Sequence, residues 1–554
     1  MHHTIRPALA SVCLALWLLP EQPVVSQETP PSTPDPATVR ADLERAAATI
    51  RSVNVSVDDV FDPNDPKENK RLYRLANRLH ISTREQVIES ALLFDSGDVF
   101  EGRLLDESAR ALRALGFVAA ATVEPHDYDA ATNSVEIDVR VRDSWTLATD
   151  MKFHHSGGVS EFGAGLEDRN LLGMGKELKV SYRSLIERDE TYVGYIDPHL
   201  FGSRVQLSTV LANASDGHRR ELAVDRPFYS LDTRWSLGGS LRDEQRVDPI
   251  YDLGEEIDEF SHDIRSSTLQ GGWSRGLIDG KTRRWLMGVT AEEHRFAPTL
   301  DTPQPLLLPV DRELVYPWVG WQLVEDDFRE MSELNDLGRT EDISLGLNLF
   351  FQVGFAKQRF GSDRDATVYK ASAQTGWEPG GPGRLLLLDA GGSTRDEDTG
   401  LQNSQMYVDL KFYQRNLTRH LFSVSLSALA TNNLDAENQV LLGGDSGLRG
   451  YPVRYQAGKH RSIVTVEERF FTDWYPGRLF RVGYALFADA GQVRGRDPRA
   501  SPSQGTLYDV GVGLRLSSPR ATGRSIVHVD LAFPLNGDPS IDSVQLIVET
   551  KGSF

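Results

Sequence analysis

The chain has 554 residues and a formal net charge of −20 at pH 7. A chain of this length usually holds at least two structural units. Its acidic balance argues against a nucleic-acid partner, because a phosphate backbone needs a basic protein face to neutralise it.

The N-terminus has the pattern of an export signal. Arg6 supplies a positive charge, residues 8–19 are largely apolar, and Val24-Val25-Ser26 offers a cleavage site. We therefore predict a signal peptide over residues 1–26. The only cysteine, Cys13, lies in this removable segment, so we expect no disulfide and no cysteine-based metal site in the mature protein.

Residues 27–49 follow the signal peptide, begin with a Pro/Ser/Thr-rich stretch, and are predicted to be a disordered linker. A mixed pattern of helices and strands comes next. Over residues 50–143 the apolar positions alternate, recur twice at helical spacing, and then alternate again in two segments. The residues that carry this order of strand, helix, helix, strand and strand are Val53, Val55 and Val57; Val87, Ile88, Ala91 and Leu92; Leu104, Leu105, Ala109, Leu112 and Leu115; Val118 to Val123; and Val135 to Val141.

Beyond Trp145 the helical spacing disappears, and alternating segments of about ten residues follow one another to the C-terminus, as in a transmembrane β-barrel. No stretch after the signal reaches the roughly 18 uninterrupted apolar residues that a membrane helix needs. Aromatic pairs such as Trp474-Tyr475 suit a lipid–water boundary. A soluble sandwich would also alternate, but the number of successive strands without a helix favours an all-β antiparallel barrel over residues 144–554.

A glycine-rich segment, residues 441–452, holds a single arginine, Arg449, between small residues. Arginine stays charged when it is buried and pairs with carboxylates through two parallel hydrogen bonds. If this loop turns inward, Arg449 needs an acidic partner, and Asp489, Glu467 and Asp530 lie on predicted lumen-facing positions. The alternative is a solvated arginine in an extracellular turn.

Two motifs resemble those of the BamA/TamA-like outer-membrane assembly family and its two-partner-secretion relatives. Leu448-Arg449-Gly450-Tyr451 resembles the family's Val-Arg-Gly-Phe/Tyr loop, and Phe487-Ala488-Asp489-Ala490-Gly491 resembles its Phe-x-Asp-x-Gly strand. The resemblance implies that the loop folds into the barrel and that Arg449 pairs with Asp489. The expected lumen partners of the loop are Asp489, Phe487, Gly491, Glu467 and Asp530.

Further matches lie at the start of the barrel and before it. Residues 168–175 resemble the family's Asp-x-Asn-x-x-Gly-x-Gly turn, and residues 195–200 resemble its next strand end. The element order over residues 50–143 resembles a POTRA domain. The barrel-start turn residues are Asp168, Asn170, Gly173 and Gly175, and Phe554 would close a C-terminal recognition signal.

The resemblance implies an α+β POTRA domain followed by a bacterial surface antigen barrel of 16 strands, five of them after the arginine loop. The stretch from Trp145 to Leu441 is long enough for about fifteen strands at the usual strand length. The barrel could therefore reach about twenty strands.

The implied function is outer-membrane protein assembly or polypeptide translocation, at the bacterial outer membrane with the POTRA domain in the periplasm. The expected partners are outer-membrane lipids and extended client polypeptides, with other assembly proteins as a further option. Clients would pass at the seam between the first strand near 145–153 and the last near 544–550. A dedicated secretion pore and an outer-membrane-anchored enzyme are the alternatives.

We expect no catalytic residues, no cofactor and no metal site. Gly444-Asp445-Ser446-Gly447 echoes a serine-protease nucleophile segment, but no matching histidine motif accompanies it. His154 and His155 would point to opposite faces of a strand, so they cannot easily bind one ion together.

Overall fold

The computed structural model describes residues 36–149, 152–335, 337–381, 383–417, 419–521 and 526–551. The predicted signal peptide and Phe554 lie outside the described residues. None of the helices in this part of the chain is long and apolar enough to cross a membrane.

Residues 36–143 form an N-terminal domain with a three-stranded sheet in the order β1-β3-β2, in which β3 runs parallel to β1 and antiparallel to β2. Its apolar core includes Ile88, Leu105, Leu112, Ile137 and Val139, so α3 and α4 pack on the sheet. The elements are α1 (Pro36–Arg45), β1 (Thr49–Asp58), α2 (Arg71–Leu79), α3 (Glu85–Ala91), α4 (Gly102–Ala114), β2 (Val118–Asp129) and β3 (Ser134–Asp143).

Two helices of this domain differ from the sequence prediction. Helix α1 lies within residues 27–49, so the predicted linker is wrong from Pro36 onwards. Leu43 is buried in the domain core, and the Glu44 carboxylate accepts a hydrogen bond from the Gly102 amide at 2.8 Å. These contacts order a segment that composition alone assigns to a linker. Helix α2 was not predicted, although Leu72, Leu75 and Leu79 recur at helical spacing.

The barrel closes through twenty strands among the described residues, counting β4 and β5 as one because both pair with β6. All neighbouring barrel strands are antiparallel, which the even strand number allows at the closing junction. The strands are β4 (Leu147–Thr149), β5 (Lys152–Ser156), β6 (Val159–Asp168), β7 (Glu177–Ser184), β8 (Asp189–Asp197), β9 (Gln206–Ala214), β10 (Gly217–Arg226), β11 (Trp235–Asp252), β12 (Glu255–Ile278), β13 (Lys281–Ala297), β14 (Arg312–Glu325), β17 (Asn348–Ala356), β18 (Ala366–Trp377), β19 (Arg384–Glu397), β20 (Gly400–Leu417), β21 (His420–Asn432), β24 (His460–Phe471), β25 (Arg481–Arg494), β26 (Leu507–Ser517), β27 (Ile526–Pro534) and β28 (Gln545–Lys551).

The strand count corrects the expectation of sixteen and agrees with the upper expectation of about twenty. Five strands, β24 to β28, follow the arginine loop as predicted. The excess lies before the loop, where the described residues form fifteen strands. The long segment between Trp145 and Leu441 is therefore used for additional strands as well as for loops.

The wall has the alternation expected of a barrel in lipid. On β26, Tyr508, Val510 and Val512 are exposed on the outside, whereas Asp509 and Arg515 are buried on the lumen side. Apolar side chains that face outward suit the hydrocarbon region of a membrane, and polar side chains that face inward suit a hydrated or protein-filled lumen.

Two insertions leave the wall at opposite ends. The turn between β14 and β17, residues 326–347, contains β15 (Phe328–Ser332) and β16 (Thr340–Ser344) and is called the inserted turn. It lies at the barrel end that carries the N-terminal domain, the near end. At the far end, β22 (Val440–Leu442) and β23 (Gln456–Gly458) pair and hold residues 443–455, the arginine loop, between them.

Candidate functional site

The arginine loop is built on a tight turn. The Gly443 amide donates to Ser446 Oγ at 2.8 Å, and Gly447 has a φ of +105°, a conformation that favours glycine. Leu448 and Tyr451 on either side of the arginine are fully buried. The turn thus directs Arg449 into the barrel while two apolar side chains pack beside it.

Arg449 is bound by three carboxylates of the inner wall. Its Nε and Nη2 donate to the two oxygens of Asp489 at 2.8 and 3.0 Å, a bidentate pair. Its Nη1 donates to Glu467 at 3.2 Å and to Asp530 at 3.3 Å. The guanidinium carbon also lies 3.3 Å from the centroid of the Phe487 ring. The structure therefore brings together the loop arginine and four of the wall residues predicted as its partners.

Two further arginines, not predicted from the sequence, complete the cluster. Arg469 Nε donates to the second oxygen of Glu467 at 2.8 Å. Arg515 pairs with Asp530 and lies 3.6 Å from Glu467. The three guanidinium groups neutralise the three carboxylates, which makes burial of so many charges tolerable.

The residues beside Arg449 fit the wall closely. The Gly450 amide donates to Asp509 at 3.0 Å, and a Cβ on Gly450 would lie 2.5 Å from the Cβ of Asp509. The Tyr451 hydroxyl donates to the Asn536 side chain at 2.8 Å. Gly491, the last residue of the predicted strand motif, leaves space for Leu448, whose side chain would be 3.1 Å from an added Cβ. Only glycine fits at position 450 without displacement of the loop.

A second ionic anchor holds the segment that leads into the loop. Arg395 on β19 forms two hydrogen bonds of 2.7 Å with Asp435. Arg312 on β14 pairs with Asp435 at 3.1 Å and with Glu437 at 2.8 Å. Burial alone would raise the pKa of Asp435, but the hydrogen bonds from Arg395 and the charge of Arg312 outweigh it and hold that pKa below its usual range.

The loop also reaches the opposite part of the wall. Arg454 pairs with Glu187 in the turn between β7 and β8, and its guanidinium carbon lies 4.3 Å from the Tyr251 ring centroid. A Cβ on Gly157, between β5 and β6, would lie 2.2 Å from the backbone nitrogen of Val453. The loop therefore crosses the far end of the barrel and contacts strands on both sides of the lumen.

The inserted turn occupies the near end of the lumen. Its Leu334 and Leu337 are buried against inward-facing residues of the wall, among them Tyr413 and Phe471. The Arg469 side chain, which also binds Glu467, donates to the Leu334 carbonyl at 2.8 Å. A cavity of about 200 Å³ lies between this turn and the arginine loop. The two insertions thus meet the same charged section of the wall.

Helix α4 of the N-terminal domain holds the inserted turn from below. Arg113 donates to Asp342 at 2.8 Å and to Glu330 at 2.8 Å, and Arg110 pairs with Asp326 at 3.2 Å. The position of the inserted turn in the lumen is therefore coupled to the position of the N-terminal domain.

The predicted barrel-start turn is a docking point for the N-terminal domain. The Asn170 side chain donates to Thr83 Oγ1 at 2.7 Å and accepts from the Gly175 amide at 2.6 Å. The Asp168 carboxylate accepts from the Asn170 amide at 3.0 Å. Gly173 has a φ of +71°, and a Cβ there would lie 2.4 Å from the Ser82 carbonyl oxygen. The glycine is required because two backbone segments touch at this position.

The first and last strands meet at the predicted seam. Among the described residues, β5 and β28 share one register pair, His155 with Val548. The neighbouring junction between β27 and β28 has seven register pairs. The seam is therefore joined by fewer backbone contacts in the described part of the chain than the adjacent wall.

The described residues include no cluster of three or more His, Cys, Asp or Glu side chains placed to bind a metal. His155 is instead engaged locally, with its Nδ1 2.8 Å from Ser160 Oγ.

Sequence patterns missed the second anchor and the inserted turn. Arg312 and Arg395 occupy ordinary strand positions, and nothing in alternation distinguishes them from other lumen residues. A weak signal exists for the inserted turn, since Leu334 and Leu337 break the alternation between two strands.

The chain is similar to solved structures of BamA and CdiB. BamA from Haemophilus ducreyi lacking POTRA domains 1–3 shares 12% identity, with 91% of this chain and 85% of that chain covered and a TM-score of 0.42. CdiB from Acinetobacter baumannii shares 10% identity, with 91% and 74% covered and a TM-score of 0.46. CdiB from Escherichia coli shares 13% identity, with 91% and 77% covered and a TM-score of 0.46. No family model and no curated protein matches the chain.

Proposed function

We propose that this chain is a barrel of the bacterial outer membrane that inserts or translocates other polypeptides, with its N-terminal domain, a POTRA-type unit, in the periplasm. The observation that carries the proposal is the arginine loop, which enters the lumen and is bound through Arg449 to Asp489, Glu467 and Asp530. The loop lies beside a seam that has one described register pair. The proposal assigns the chain no catalytic chemistry.

The N-terminal domain offers a sheet edge to an extended client. Strand addition at such an edge uses main-chain hydrogen bonds and requires little sequence preference. On the β2 edge, Arg40 and Arg113 already donate to the Val123 and Ala121 carbonyls. The start of the β1 edge is also occupied, because residues 97, 98 and 100 form hydrogen bonds with the backbone of Ala48 and Ile50. The second half of β1, residues 53–58, is therefore the candidate for client binding.

A disulfide across the seam tests whether the seam has to open. His155 and Val548 are direct register partners, so cysteines at both positions are close enough to be oxidised. We expect the oxidised protein to lose insertion of client barrels and to regain it after reduction. A disulfide between Ser208 and Ala223, register partners on β9 and β10, is the matched control and should leave function unchanged.

A dedicated secretion pore is the second candidate, and the lumen itself supports it. The inserted turn and the arginine loop both lie in the lumen, where a secreted chain would pass. With this function, the seam disulfide would leave export unchanged, while deletion of the inserted turn would alter it. Depletion of the protein separates the two candidates further, because loss of many outer-membrane barrels indicates assembly and loss of one secreted product indicates a dedicated exporter.

A further inference from the structure

Helix α2 (Arg71–Leu79) has an apolar face that the N-terminal domain does not cover. Leu72, Leu75 and Leu79 recur at spacings of three and four residues and are 65%, 50% and 65% exposed. This spacing places them on one side of the helix. Arg71, Arg74 and Arg78 recur with the same spacing on an adjacent side, and the helix contains no acidic residue.

A third side of the helix fastens it to the rim of the barrel. Tyr73 stacks on Phe61 at 4.6 Å between ring centroids and donates to the carbonyl of Gly477, in the turn between β24 and β25. Arg520, in the turn between β26 and β27, donates to the Val60 carbonyl at 2.7 Å. The helix is thus fixed to the near end of the wall rather than suspended away from it.

The residues that follow the helix reach the other side of the seam. The Arg84 amide donates to the Gly173 carbonyl at 3.0 Å, in the turn between β6 and β7. In the barrel, β28 and β5 lie between that turn and the turns contacted by Tyr73 and Arg520. Helix α2 and its flanking residues therefore pass beneath the seam.

Exposed apolar side chains continue from the helix along the near rim. Trp474 and Phe480, in the same turn as Gly477, which binds Tyr73, are 60% and 49% exposed. Ile81 and Leu172, on the seam's other side, are 52% exposed each. Aromatic residues at a barrel rim are typical of the lipid–water boundary. The leucine face of α2 therefore lies between rim segments that expose apolar side chains on both sides of the seam.

We propose that helix α2 lies in the headgroup region of the membrane's inner leaflet beneath the seam, with its leucines in the lipid and its arginines on lipid phosphates. Leucine on one face and arginine beside it is the pattern of a helix that lies in a membrane interface. Arginine binds phosphate oxygens through two parallel hydrogen bonds. The inference depends on the barrel being embedded in a membrane and not on which polypeptides it handles.

The test uses a fluorophore on a single cysteine in the full chain, reconstituted in nanodiscs of phosphatidylethanolamine and phosphatidylglycerol. Cys13 is replaced by serine, so that Leu75→Cys carries the only label. We expect a nitroxide attached near the lipid headgroup to quench this label and aqueous iodide to quench it weakly. Quenching by iodide without quenching by the lipid nitroxide would overturn the proposal, and would assign the leucine face to water or to a protein partner.

Two matched positions make the outcome unambiguous. Leu486→Cys on the outer face of β25, where the side chain is 51% exposed, must be quenched by the lipid nitroxide if the barrel is in the membrane. Tyr128→Cys, near the end of β2 distant from the barrel, should respond only to iodide. A result in which Leu486 responds and Leu75 behaves like Tyr128 refutes the helix proposal while leaving the barrel intact.

The arginines are tested separately from the leucines. In a variant with Arg74→Gln and Arg78→Gln, the lipid quenching at position 75 should fall severalfold, and it should fall less in discs that contain no phosphatidylglycerol. Unchanged quenching in both compositions would remove the phosphate contacts from the proposal. Heat-dependent gel mobility of each variant verifies that the barrel has folded.

Discussion

Replacing Arg449 by alanine should release the arginine loop from the wall. The guanidinium makes four hydrogen bonds to three carboxylates, two of them to Asp489. Glu467 and Asp530 keep Arg469 and Arg515 as partners, so Asp489 bears most of the loss. Removing one member of a buried ion pair costs about 3–5 kcal/mol, which is the destabilisation expected for the docked loop.

Hydrogen exchange measures this release directly. A loss of about 3–5 kcal/mol corresponds to a rise in opening of roughly two to three and a half orders of magnitude, since about 1.4 kcal/mol is tenfold. The amides of residues 443–455 should therefore exchange faster by that factor in the Arg449→Ala protein. The strand β26 should keep its slow exchange, because the backbone pairing of the wall is unchanged.

Three comparisons decide whether the ion pair is the cause. Arg496→Ala removes an exposed arginine of a neighbouring far-end turn and should leave exchange unchanged. Arg449→Lys keeps the charge but not the planar fork, so an intermediate effect is expected. Arg449→Ala combined with Asp489→Ala should cost less than the sum of the two single changes. Strict additivity, or an unaltered loop in Arg449→Ala, would refute the assigned role.

Three further changes test the other contacts. Gly450→Ala places a Cβ 2.5 Å from that of Asp509 and should increase exchange in the same loop, since overpacking costs about 1–3 kcal/mol. Asn170→Ala breaks the 2.7 Å bond to Thr83 and should increase exchange over residues 82–91 by the equivalent of about 1–3 kcal/mol. The pKa of Asp435 is lowered in the folded protein. The stabilisation from its ion pairs with Arg395 and Arg312 is therefore fully present above the ordinary aspartate pKa of about 3.9, and it is lost as the pH falls through the lower pKa of the folded state. Exchange over residues 433–439 should then rise only in acid, whereas Asp435→Asn should raise it at neutral pH.

The glycine and asparagine changes each have a neutral counterpart. Gly239→Ala brings its Cβ no nearer than 3.5 Å to another atom outside its chain neighbours, and should leave exchange as it is. Asn213→Ala removes an exposed side chain and should not affect the docking of the N-terminal domain. If either control matched the test variant, the specific contact would not be the cause.

The sequence was sufficient for those features that repeat or carry a short motif. Alternation predicts a barrel wall because side chains along a strand repeat every two residues, so that one set contacts lipid and the other faces the lumen. Arg449 and Asp489 could be paired because each lies in a short motif that resembles one of a known barrel family. The strand number was less certain, since segment length divides among strands and loops in more than one way.

Features that depend on unique tertiary contacts were not accessible from patterns. Helix α1 is ordered by Leu43 and Glu44 against distant residues of the domain, which composition does not reveal. The second ionic anchor joins residues that are far apart in the chain. Arg312 lies more than a hundred positions from its partner Glu437, and Arg395 lies about forty positions from its partner Asp435. Only the closed barrel brings such positions together.

The contacts around the seam have a common mechanical consequence. At the far end, the arginine loop binds β24, β25 and β27 through Arg449 and touches Gly157 between β5 and β6. At the near end, the segment containing α2 joins Arg520 and Gly477 on one side of the seam to Gly173 on the other. The backbone pairs described between β5 and β28 are few, so side-chain and loop contacts at both ends supply much of what holds the junction together. Opening the seam therefore requires the release of the contacts at one of its two ends. We expect regulation of the opening to act on the residues that form these contacts.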